Sequence, residues 1–384
     1  MSGATAAHRA AFLDWLACAA GGWDARASRA AREAGDGLLE TVAALGAAGH
    51  VLDFDDTYLP GIAHLSAAAA PAALALGAVR GATISTVVDA YAAGFEQTAA
   101  LARASHPGLY ERGWHPTAVC GTVGAAAAAA RLLGLEGEAR ASALALAALR
   151  AAGPRAGFGS DGKALGVGLA AADGVHAALL AAGGARMALD AVDGPAGFAA
   201  TTGGTWAQPR PGEPPAVQEN WIKPWPCCLM AHSAIEAALD VRAAGAAPRE
   251  VVVRVHPRAR QAAAYDDAAD GLQARFSIPY LTAFALLRRA PDVPGLEDVD
   301  PEVRTFAAAR VRVVEDGTLA ESEAQLEDAG GATLAVVVAA LGSPQRPMSA
   351  AQLAAKVRAL AGERLDGALA DDARTAAHLL AAIG

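Results

Sequence analysis

Apolar side chains recur at helical spacing through most of the first half of the chain. Between residues 7 and 20, Phe12, Trp15, Leu16 and Ala19 share one helical face. Comparable alanine-rich runs cover residues 38–48, 66–80, 83–104, 117–133, 136–152 and 164–182. Breaks containing glycine, proline or charged residues separate them. The pattern predicts a helical bundle whose connecting loops carry the polar groups.

The run from residue 117 to residue 133 consists mainly of alanine and glycine. Gly121 and Gly124 would each weaken this helix by about 1 kcal/mol relative to alanine. A glycine also removes the side chain that keeps a neighbouring helix at a distance. We therefore expect another helix to approach closely at these two positions.

The pattern changes near residue 200. Residues 201–218 are rich in Gly, Thr and Pro, as in a linker, and a helix is predicted over residues 232–244. Strand-like runs follow at residues 250–256, 309–314 and 332–338. Helical patterns return at residues 349–361, behind a capping box that begins at Ser349, and at residues 365–382.

These patterns predict a mainly α protein with an α+β part. The N-terminal segment (residues 1–219) and the C-terminal segment (residues 343–384) would form one all-helical domain. A smaller α+β lid domain (residues 220–342) would be inserted between them. Two domains also suit a length of 384 residues, which is large for one simple core.

Composition narrows the classes of function. Hydrophobic residues make up 54% of the chain and charged residues only 18%, which excludes disorder. The formal net charge of -9 gives no global basic field for nucleic acid. The weakly polar runs at residues 65–79 and 117–130 are shorter than a membrane span, and the N-terminus has no apolar signal core. We expect a cytoplasmic protein that binds neither nucleic acid nor membrane.

No metal motif is visible in the sequence. The four cysteines make no disulfide framework at this length, and none has the partners that a zinc site needs. We therefore expect structural thiols and no metal. An acidic protein can still bind an anion through a local cluster of Lys, Arg and His.

The most polar stretch of the first half is residues 50–66. It contains three carboxylates, a threonine and two histidines between nearly uncharged helical runs. Buried carboxylates are unfavourable unless they are paired or hydrogen-bonded. Two interpretations remain open for this stretch alone: a functional site, or a helix cap in which Asp56 or Thr57 begins the next helix.

Four further polar segments supply the other candidate residues: residues 113–117 with His115, residues 157–163 with Lys163, residues 221–233 with Lys223, and residues 274–280 with Arg275 and Tyr280. Each has an ordinary explanation, such as a helix cap at Thr117 or a solvated linker lysine at Lys223. Together they provide cations for carboxylates and a general acid and base for a carbon skeleton. These are the groups that a small polycarboxylate needs.

The set resembles the MmgE/PrpD family, which includes 2-methylcitrate dehydratase, cis-aconitate decarboxylase and iminodisuccinate epimerase. The matching motifs are Asp53-Phe-Asp-Asp-Thr57 with His64, Gly113-Trp-His-Pro116, the loop at Lys163, Ile222-Lys-Pro-Trp-Pro226 with His232, and Phe276-Ser-Ile-Pro-Tyr280. The resemblance implies a helical domain with an α+β lid, a homodimer, and catalysis between the domains without metal or cofactor. It places Asp53, Thr57, His64, His115, Lys163, Lys223 and Tyr280 in the site.

Two positions depart from the family pattern. The interval from Thr57 to His64 is one residue longer than usual, and Leu65 stands where proline is common. The family often has a histidine three residues after the loop lysine, and here that residue is Gly166. Both changes would alter the pocket near the acid–base groups.

The resulting hypothesis is a metal-independent lyase acting on a small di- or tricarboxylate such as 2-methylcitrate or cis-aconitate. Lys163 and Lys223, with Arg275 as a weaker candidate, would hold carboxylates. His115 or His64 would move a proton beside a carboxylate, and Tyr280 would act as an acid. Asp53 and Thr57 would orient the histidines, with Thr57 also close to the substrate, and Asp55 and Asp56 would act as helix caps. The alternatives are an epimerase of a dicarboxylate like iminodisuccinate, and a non-catalytic carboxylate-binding dimer.

Overall fold

The computed structural model describes residues 4–188, 190–245 and 250–384. The chain is 58% helical and contains a small mixed sheet, so the predicted mainly α class with an α+β part agrees with the structure. Contacts divide the chain into two compact units, residues 1–222 with 349–384, and residues 223–348. The inserted lid domain with boundaries after residues 219 and 342 stays a prediction.

The first unit is helical. Its helices are α1 (Ala6–Gly22), α2 (Arg26–Glu33), α3 (Leu38–His50), α4 (Ser66–Val79), α5 (Ile84–Ser105), α6 (Gly108–Glu111), α7 (Pro116–Leu132), α8 (Gly137–Arg150), α9 (Asp161–Ala182), α10 (Asp190–Asp193), α11 (Phe198–Thr202), α17 (Ala350–Ala361) and α18 (Ala376–Ile383). Helices α7 and α9 lie at its centre: α7 packs on α4, α5, α8 and α9, and α9 also packs on α3. Two short strands, β1 (Thr57–Tyr58) and β2 (Asn220–Trp221), pair antiparallel.

Every helix predicted in the first half is present, with ends shifted by a few residues. Helix α2 was not predicted. The helix expected over residues 365–382 is wrong in its first part, because the structure places turns there and α18 begins only at Ala376. Gly367 has a φ of 66°, which interrupts a helix, while Leu365 and Ala368 still reach the core from these turns. The capping box at Ser349 and Gln352 is confirmed.

Close helix packing at glycine is also confirmed. A Cβ atom at Gly124 would lie 2.7 Å from the carbonyl oxygen of Gly94 on α5, and one at Gly121 would lie 2.8 Å from the Cβ of Ala68 on α4. Helices α3 and α9 meet in the same way, since a Cβ at Gly46 would lie 2.7 Å from the Cα of Gly168. The small side chains therefore let helix backbones touch, which offsets the weak helix propensity of glycine.

Helix α9 is the one described helix that is long and apolar enough to cross a membrane, and 61% of its apolar window is buried inside the structure. It packs against α3, α7 and α8. These contacts are those of the core helix of a soluble globular protein.

The second unit combines a four-stranded sheet with helices. Its strands are β3 (Val251–Val255), β4 (Val311–Glu315), β5 (Ala324–Asp328) and β6 (Thr333–Val337), and its helices are α12 (His232–Ala243), α13 (Pro257–Ala262), α14 (Gly271–Ala274), α15 (Ile278–Leu287) and α16 (Pro301–Arg310). The strand order is β4-β3-β5-β6, with β3 and β4 parallel and the other pairs antiparallel. Helix α12 packs on β5 and β6.

Three of these strands match the predicted runs. The expected strand start at residue 309 is wrong, because α16 continues to Arg310 and pairing with β3 begins at Val311. Strand β5 was not predicted, since its sequence Ala-Gln-Leu-Glu-Asp is mostly polar. It is a strand because Ala324 and Leu326 face the interior and the backbone pairs with both β3 and β6.

Candidate active site

The polar groups of the first unit collect at helix ends. His50 is the last residue of α3, His64 lies just before α4, His115 directly precedes α7, and Lys163 lies in the first turn of α9. Because α3, α4, α7 and α9 pack on one another, these ends meet. Three of the four are helix N-termini, where unpaired N–H groups favour a negative charge.

Asp53 and Lys163 form a buried ion pair, with the ammonium nitrogen 2.5 Å from Asp53 Oδ1. Asp53 has a φ of 50°, a left-handed conformation that aspartate tolerates better than most residues. The same carboxylate oxygen lies 3.7 Å from Nε2 of His64. Asp53 therefore links the lysine to a histidine, at a position where backbone strain is maintained by the surrounding structure.

Asp55 lies between two histidines. Its Oδ2 is 2.8 Å from Nδ1 of His50, and its Oδ1 is 3.2 Å from Nδ1 of His64. Burial alone would raise the pKa of this carboxyl, but the two imidazoles hold it well below its usual range. Burial lowers the pKa of His50 in spite of Asp55. Asp55 is therefore ionised, and it is not the helix cap that the sequence suggested.

His115 is held by its backbone and by ring contacts. Its N–H donates to the carbonyl of Gly153 at 2.8 Å, and its ring lies edge-on to Phe158 with the centroids 4.9 Å apart. It also stacks on His50 at 5.7 Å. Burial, followed by the charge of Lys163 and the neighbouring imidazoles, holds the pKa of His115 well below its usual value. His115 is therefore a neutral imidazole at physiological pH.

The loop between Thr57 and His64 is fixed at several points. Thr57 pairs with Trp221, and Ile62 has a φ of 46°, which is strained for a β-branched residue. The N–H of His64 donates to Oγ1 of Thr117 at 3.1 Å. The hydroxyl of Thr57 has no hydrogen-bond partner among the described residues, so it orients no histidine in this structure. A role for Thr57 in substrate binding stays a prediction.

Asp56 differs from its neighbour. It is fully buried, and its Oδ1 accepts from the N–H of Ser66, the first residue of α4, at 3.2 Å. Its Oδ2 accepts from the Asn220 amide at 2.7 Å and from the Ser66 hydroxyl at 2.8 Å. Burial and the nearby charge of Asp55 raise the pKa of Asp56 to about 7. The prediction that Asp56 is the N-cap of the next helix is wrong, because α4 begins at Ser66 with Leu65 as its N-cap; Asp56 instead accepts from the first N–H of α4 from ten residues earlier in the chain.

A buried lysine from the C-terminal segment also reaches this region. Lys356 on α17 lies 2.8 Å from the carbonyl oxygen of Phe54 and 2.6 Å from Oδ1 of Asp14 on α1. It thereby fixes the main chain between Asp53 and Asp55. Nothing in the local sequence around Lys356 marks this contact, because it joins residues about three hundred positions apart.

The second unit contains the remaining candidates. Lys223 is buried, so the interpretation as a solvated linker lysine is wrong. Arg275 donates from Nη1 to the carbonyl of Pro226 at 3.0 Å, and the hydroxyl of Tyr280 accepts from the N–H of Asp300 at 2.9 Å. Burial raises the pKa of Tyr280, which keeps its hydroxyl protonated. The catalytic or binding roles assigned to these three residues stay predictions.

One group of described residues has the composition of a metal site. A donor atom each from His50, Asp55 and His64 lies within 4.8 Å of the others. However, both Nδ1 atoms already face the Asp55 carboxylate, and the charge of Lys163 acts on His50. A nearby ammonium opposes a second cation. The geometry therefore favours a trio held by the His50–Asp55 hydrogen bond and the His64–Asp55 ion pair.

Comparison with known proteins gives the family. Residues 39–208 match the MmgE/PrpD N-terminal domain, and residues 225–381 match the MmgE/PrpD C-terminal domain. The chain belongs to the MmgE/PrpD family. The resemblance in the sequence motifs is thus confirmed. The residues His50, Asp53, Asp55, His64, His115 and Lys163 fall within the first match, and Lys223 lies between the two matched ranges.

Two curated relatives are similar over part of the chain. Human cis-aconitate decarboxylase is 34% identical over 211 residues, which are 51% of this chain and 43% of the human protein. Mouse cis-aconitate decarboxylase is 32% identical over 211 residues, or 51% of this chain and 42% of the mouse protein. The match therefore spans less than half the length of either relative.

The structure brings Asp53, His64 and Lys163 together, and ring contacts connect His115 to them through His50. Sequence reasoning missed His50 as a site residue and placed Asp55 among the caps. The separation between His50 and Asp55 would have been a usable signal, because a histidine at a helix end can reach a carboxylate five residues later. We name His50, Asp53, Asp55, His64, His115 and Lys163 the polar cluster.

Proposed function

We propose that this protein is a metal-independent lyase that acts on a small di- or tricarboxylate. The observation that carries the proposal is the polar cluster: a buried ammonium beside three imidazoles and two carboxylates, at helix ends. Membership of a family that includes cis-aconitate decarboxylases supports a lyase. No step in the proposal needs a cofactor.

Lys163 is the proposed carboxylate-binding group of the first unit. In a buried site its charge acts strongly on an anion, because little water screens it. The N-terminal ends of α4, α7 and α9 add partial positive charge on the same side. An arriving carboxylate would compete with Asp53 for the ammonium, so binding would exchange one ion pair for another.

The imidazoles are the proposed proton carriers. Proton transfer at a carbon beside a carboxylate needs a group whose protonation state changes near working pH, and histidine is the usual choice. A substrate carboxylate held by Lys163 would lie near His64, because Asp53 contacts both residues. Because the substrate would be held beside the imidazole, proton transfer would not require a separate collision between the two groups.

The reaction proposed first is decarboxylation of a molecule like cis-aconitate. The relatives that match carry the name cis-aconitate decarboxylase. Dehydration of an acid like 2-methylcitrate uses the same groups, with water leaving in place of carbon dioxide. An epimerase of a dicarboxylate like iminodisuccinate is the second candidate, and a non-catalytic carboxylate-binding dimer is the alternative from another class.

The remaining parts of the proposal concern the residues of the second unit, the location of the protein and its oligomeric state. We propose that Lys223 binds a carboxylate, that Arg275 assists it, and that Tyr280 donates a proton. The protein would act as a cytoplasmic homodimer. Exchanging Lys223 for alanine should raise KM more than it lowers kcat, and an unchanged KM would remove Lys223 from the site.

The test uses the full chain with cis-aconitate, 2-methylcitrate, citrate and iminodisuccinate. Carbon dioxide release, product NMR spectra and proton exchange in deuterium oxide separate decarboxylation, dehydration and epimerisation. Each assay is repeated after dialysis against a chelator. Turnover of one acid that survives chelation supports the proposal. Stabilisation by an acid without turnover or exchange would instead show a binding protein, and loss of turnover on chelation would refute metal independence.

A further inference from the structure

Within the polar stretch at residues 50–66, Asp55 differs from Asp53 and Asp56 because it contacts the Nδ1 atoms of two histidines. Each of its two oxygens faces Nδ1 of a different histidine, His50 at 2.8 Å and His64 at 3.2 Å. The two rings stand nearly perpendicular, at 81°, with centroids 4.5 Å apart. Asp55 itself is fully buried. One carboxylate therefore contacts two imidazoles, His50 through a hydrogen bond and His64 through an ion pair.

An ionised carboxylate has no proton to donate. The His50 Nδ1 that is hydrogen-bonded to it must therefore carry the hydrogen. The His64 Nδ1 lies 3.2 Å from Asp55 Oδ1 in an ion-pair contact without hydrogen-bond geometry. A ring lone pair this close to a buried negative charge would be repelled, so a hydrogen on Nδ1 is favoured there too. In both neutral rings the lone pair then lies on Nε2. A second group that fixes the tautomer of a working histidine is a recurrent device in acid–base sites.

The other ring nitrogen of His64, Nε2, faces the ion pair of Asp53 and Lys163. Nε2 lies 3.7 Å from Asp53 Oδ1, the oxygen that also contacts Lys163. His115 has a different environment, in which burial, followed by the charge of Lys163 and two imidazoles, lowers its pKa. The three histidines are therefore not equivalent: His64 has a carboxylate on each side, and His115 stays neutral.

We propose that Asp55 is a positioning residue that keeps His64 protonated at Nδ1, so that Nε2 is the nitrogen that exchanges a proton with the substrate. The inference rests on the proposed function and deepens it by choosing between the two histidines. In decarboxylation, the bond to the leaving carboxyl group breaks and its electron pair stays on carbon. Nε2 of the neutral ring takes a proton from solvent before the reaction and then gives it to this carbon, so the Nε2–H bond breaks, a C–H bond forms, and His64 returns to its neutral Nδ1–H form.

A tautomer can be measured without any substrate. The full chain is labelled with 15N-histidine, and long-range 1H–15N spectra distinguish Nδ1–H from Nε2–H rings. The signals of the ring pair are assigned from His64→Gln and His50→Gln spectra. In the unmodified protein both rings should be Nδ1–H. A neutral His64 that carries its proton on Nε2 would overturn the proposal, whether or not any variant folds.

Asp55→Asn tests the same point by substitution. An amide offers one acceptor oxygen and one donor nitrogen, so it cannot accept from both Nδ1–H groups. At least one of the two rings should change tautomer, and kcat should fall by about 10²–10⁴-fold with KM changed only a few-fold. Asp55→Glu, which keeps two acceptor oxygens, should retain the tautomers and restore part of kcat.

Asp56→Asn is the matched control. Asp56 is adjacent and equally buried, but among the described residues its oxygens accept hydrogen bonds from Ser66 and Asn220 and from no histidine. It should leave both tautomers unchanged. Unchanged tautomers and kcat in Asp55→Asn would refute the role of Asp55, while turnover by the unmodified protein would leave the proposed function intact. An unmodified protein that turns over no acid would refute the proposed function, and the tautomer measurement would still decide the inference.

Discussion

The helix pairs of the first unit and the polar cluster at their ends are stabilised in different ways. Between α3 and α9, glycines bring backbone against backbone, and a Cβ at Gly46 would lie 2.7 Å from the Cα of Gly168. In the polar cluster, buried charges are held by opposite charges, as in the 2.5 Å contact between Lys163 and Asp53. The helix pairs have no room for an added methyl group, whereas the polar cluster cannot lose a partner. Substitutions in the two regions should therefore fail for different reasons.

The largest effect is expected at Lys163. Lys163→Met leaves the buried Asp53 carboxylate without its ammonium, and breaking a buried pair in this way costs about 3–5 kcal/mol of unfolding free energy. Turnover of the acid identified by the substrate screen should disappear. Urea unfolding and steady-state kinetics measure the two effects.

The double variant Lys163→Met with Asp53→Asn is the control for this explanation. Removing both charges should recover most of the lost stability without recovering turnover. If the double variant is as unstable as Lys163→Met alone, the ion pair is not the source of the instability.

The next effect separates the two histidines of the polar cluster. His64→Gln removes the proposed proton carrier and should lower kcat by about 10²–10⁴-fold. His115→Gln removes a neutral ring that packs on His50 and Phe158, and it should lower kcat by only about tenfold. Equal losses in the two variants would mean that both histidines move protons. Circular dichroism of each variant checks that the helices are retained.

These histidines also show which parts of the candidate site could be predicted from the sequence. His115 and Lys163 were found because each stands beside a predicted helix start, and His64 because it lies in the polar stretch that interrupts the helical pattern. The contact of Lys356 with Phe54 was not visible, since it depends on how α17 packs after the chain has passed through the second unit. Pairings of this kind are set by tertiary packing.

The secondary structure also divides into elements that the sequence predicts and elements that depend on tertiary packing. Runs of alanine and leucine identified helices α3, α4 and α7 even where no polar face was present. Strand β5 was missed because its polar residues gave no strand signal before β3 and β6 were placed beside it. The turns before α18 were missed because positive φ at Gly367, which ends the helical pattern, is a property of the backbone.

A smaller effect is expected in the pH dependence of stability at Asp56. Its folded pKa of about 7 lies above the reference value of 3.8, so the folded protein holds a proton that the unfolded chain releases. Stability from this group is complete below pH 3.8 and is lost as pH rises through about 7. At about 1.4 kcal/mol per pKa unit, the loss is a few kcal/mol.

Asp56→Asn removes this titration. The amide of the variant has one acceptor oxygen, so it cannot accept from the Ser66 N–H as well as from the Ser66 hydroxyl and Asn220, and the variant should be less stable than the unmodified protein at pH 4.5. The difference should shrink as pH rises toward 8, because only the unmodified protein is destabilised by ionisation. Urea unfolding at several pH values measures both curves. Curves that stay parallel over this range would show that Asp56 ionises normally in the folded protein.

The smallest effects are expected at two glycines of α9. A Cβ at Gly168 would lie 2.1 Å from the carbonyl oxygen of Ala43 on α3, whereas one at Gly166 would meet nothing within 4 Å. Gly168→Ala should therefore force α3 and α9 apart and lower the unfolding free energy by about 1–3 kcal/mol. Gly166→Ala should raise it by about 0.5–1 kcal/mol, because alanine favours the helix. Thermal unfolding of the two variants, which differ only in position on one helix, compares packing with propensity directly. A loss of stability in Gly166→Ala, or none in Gly168→Ala, would contradict the close approach of these helices.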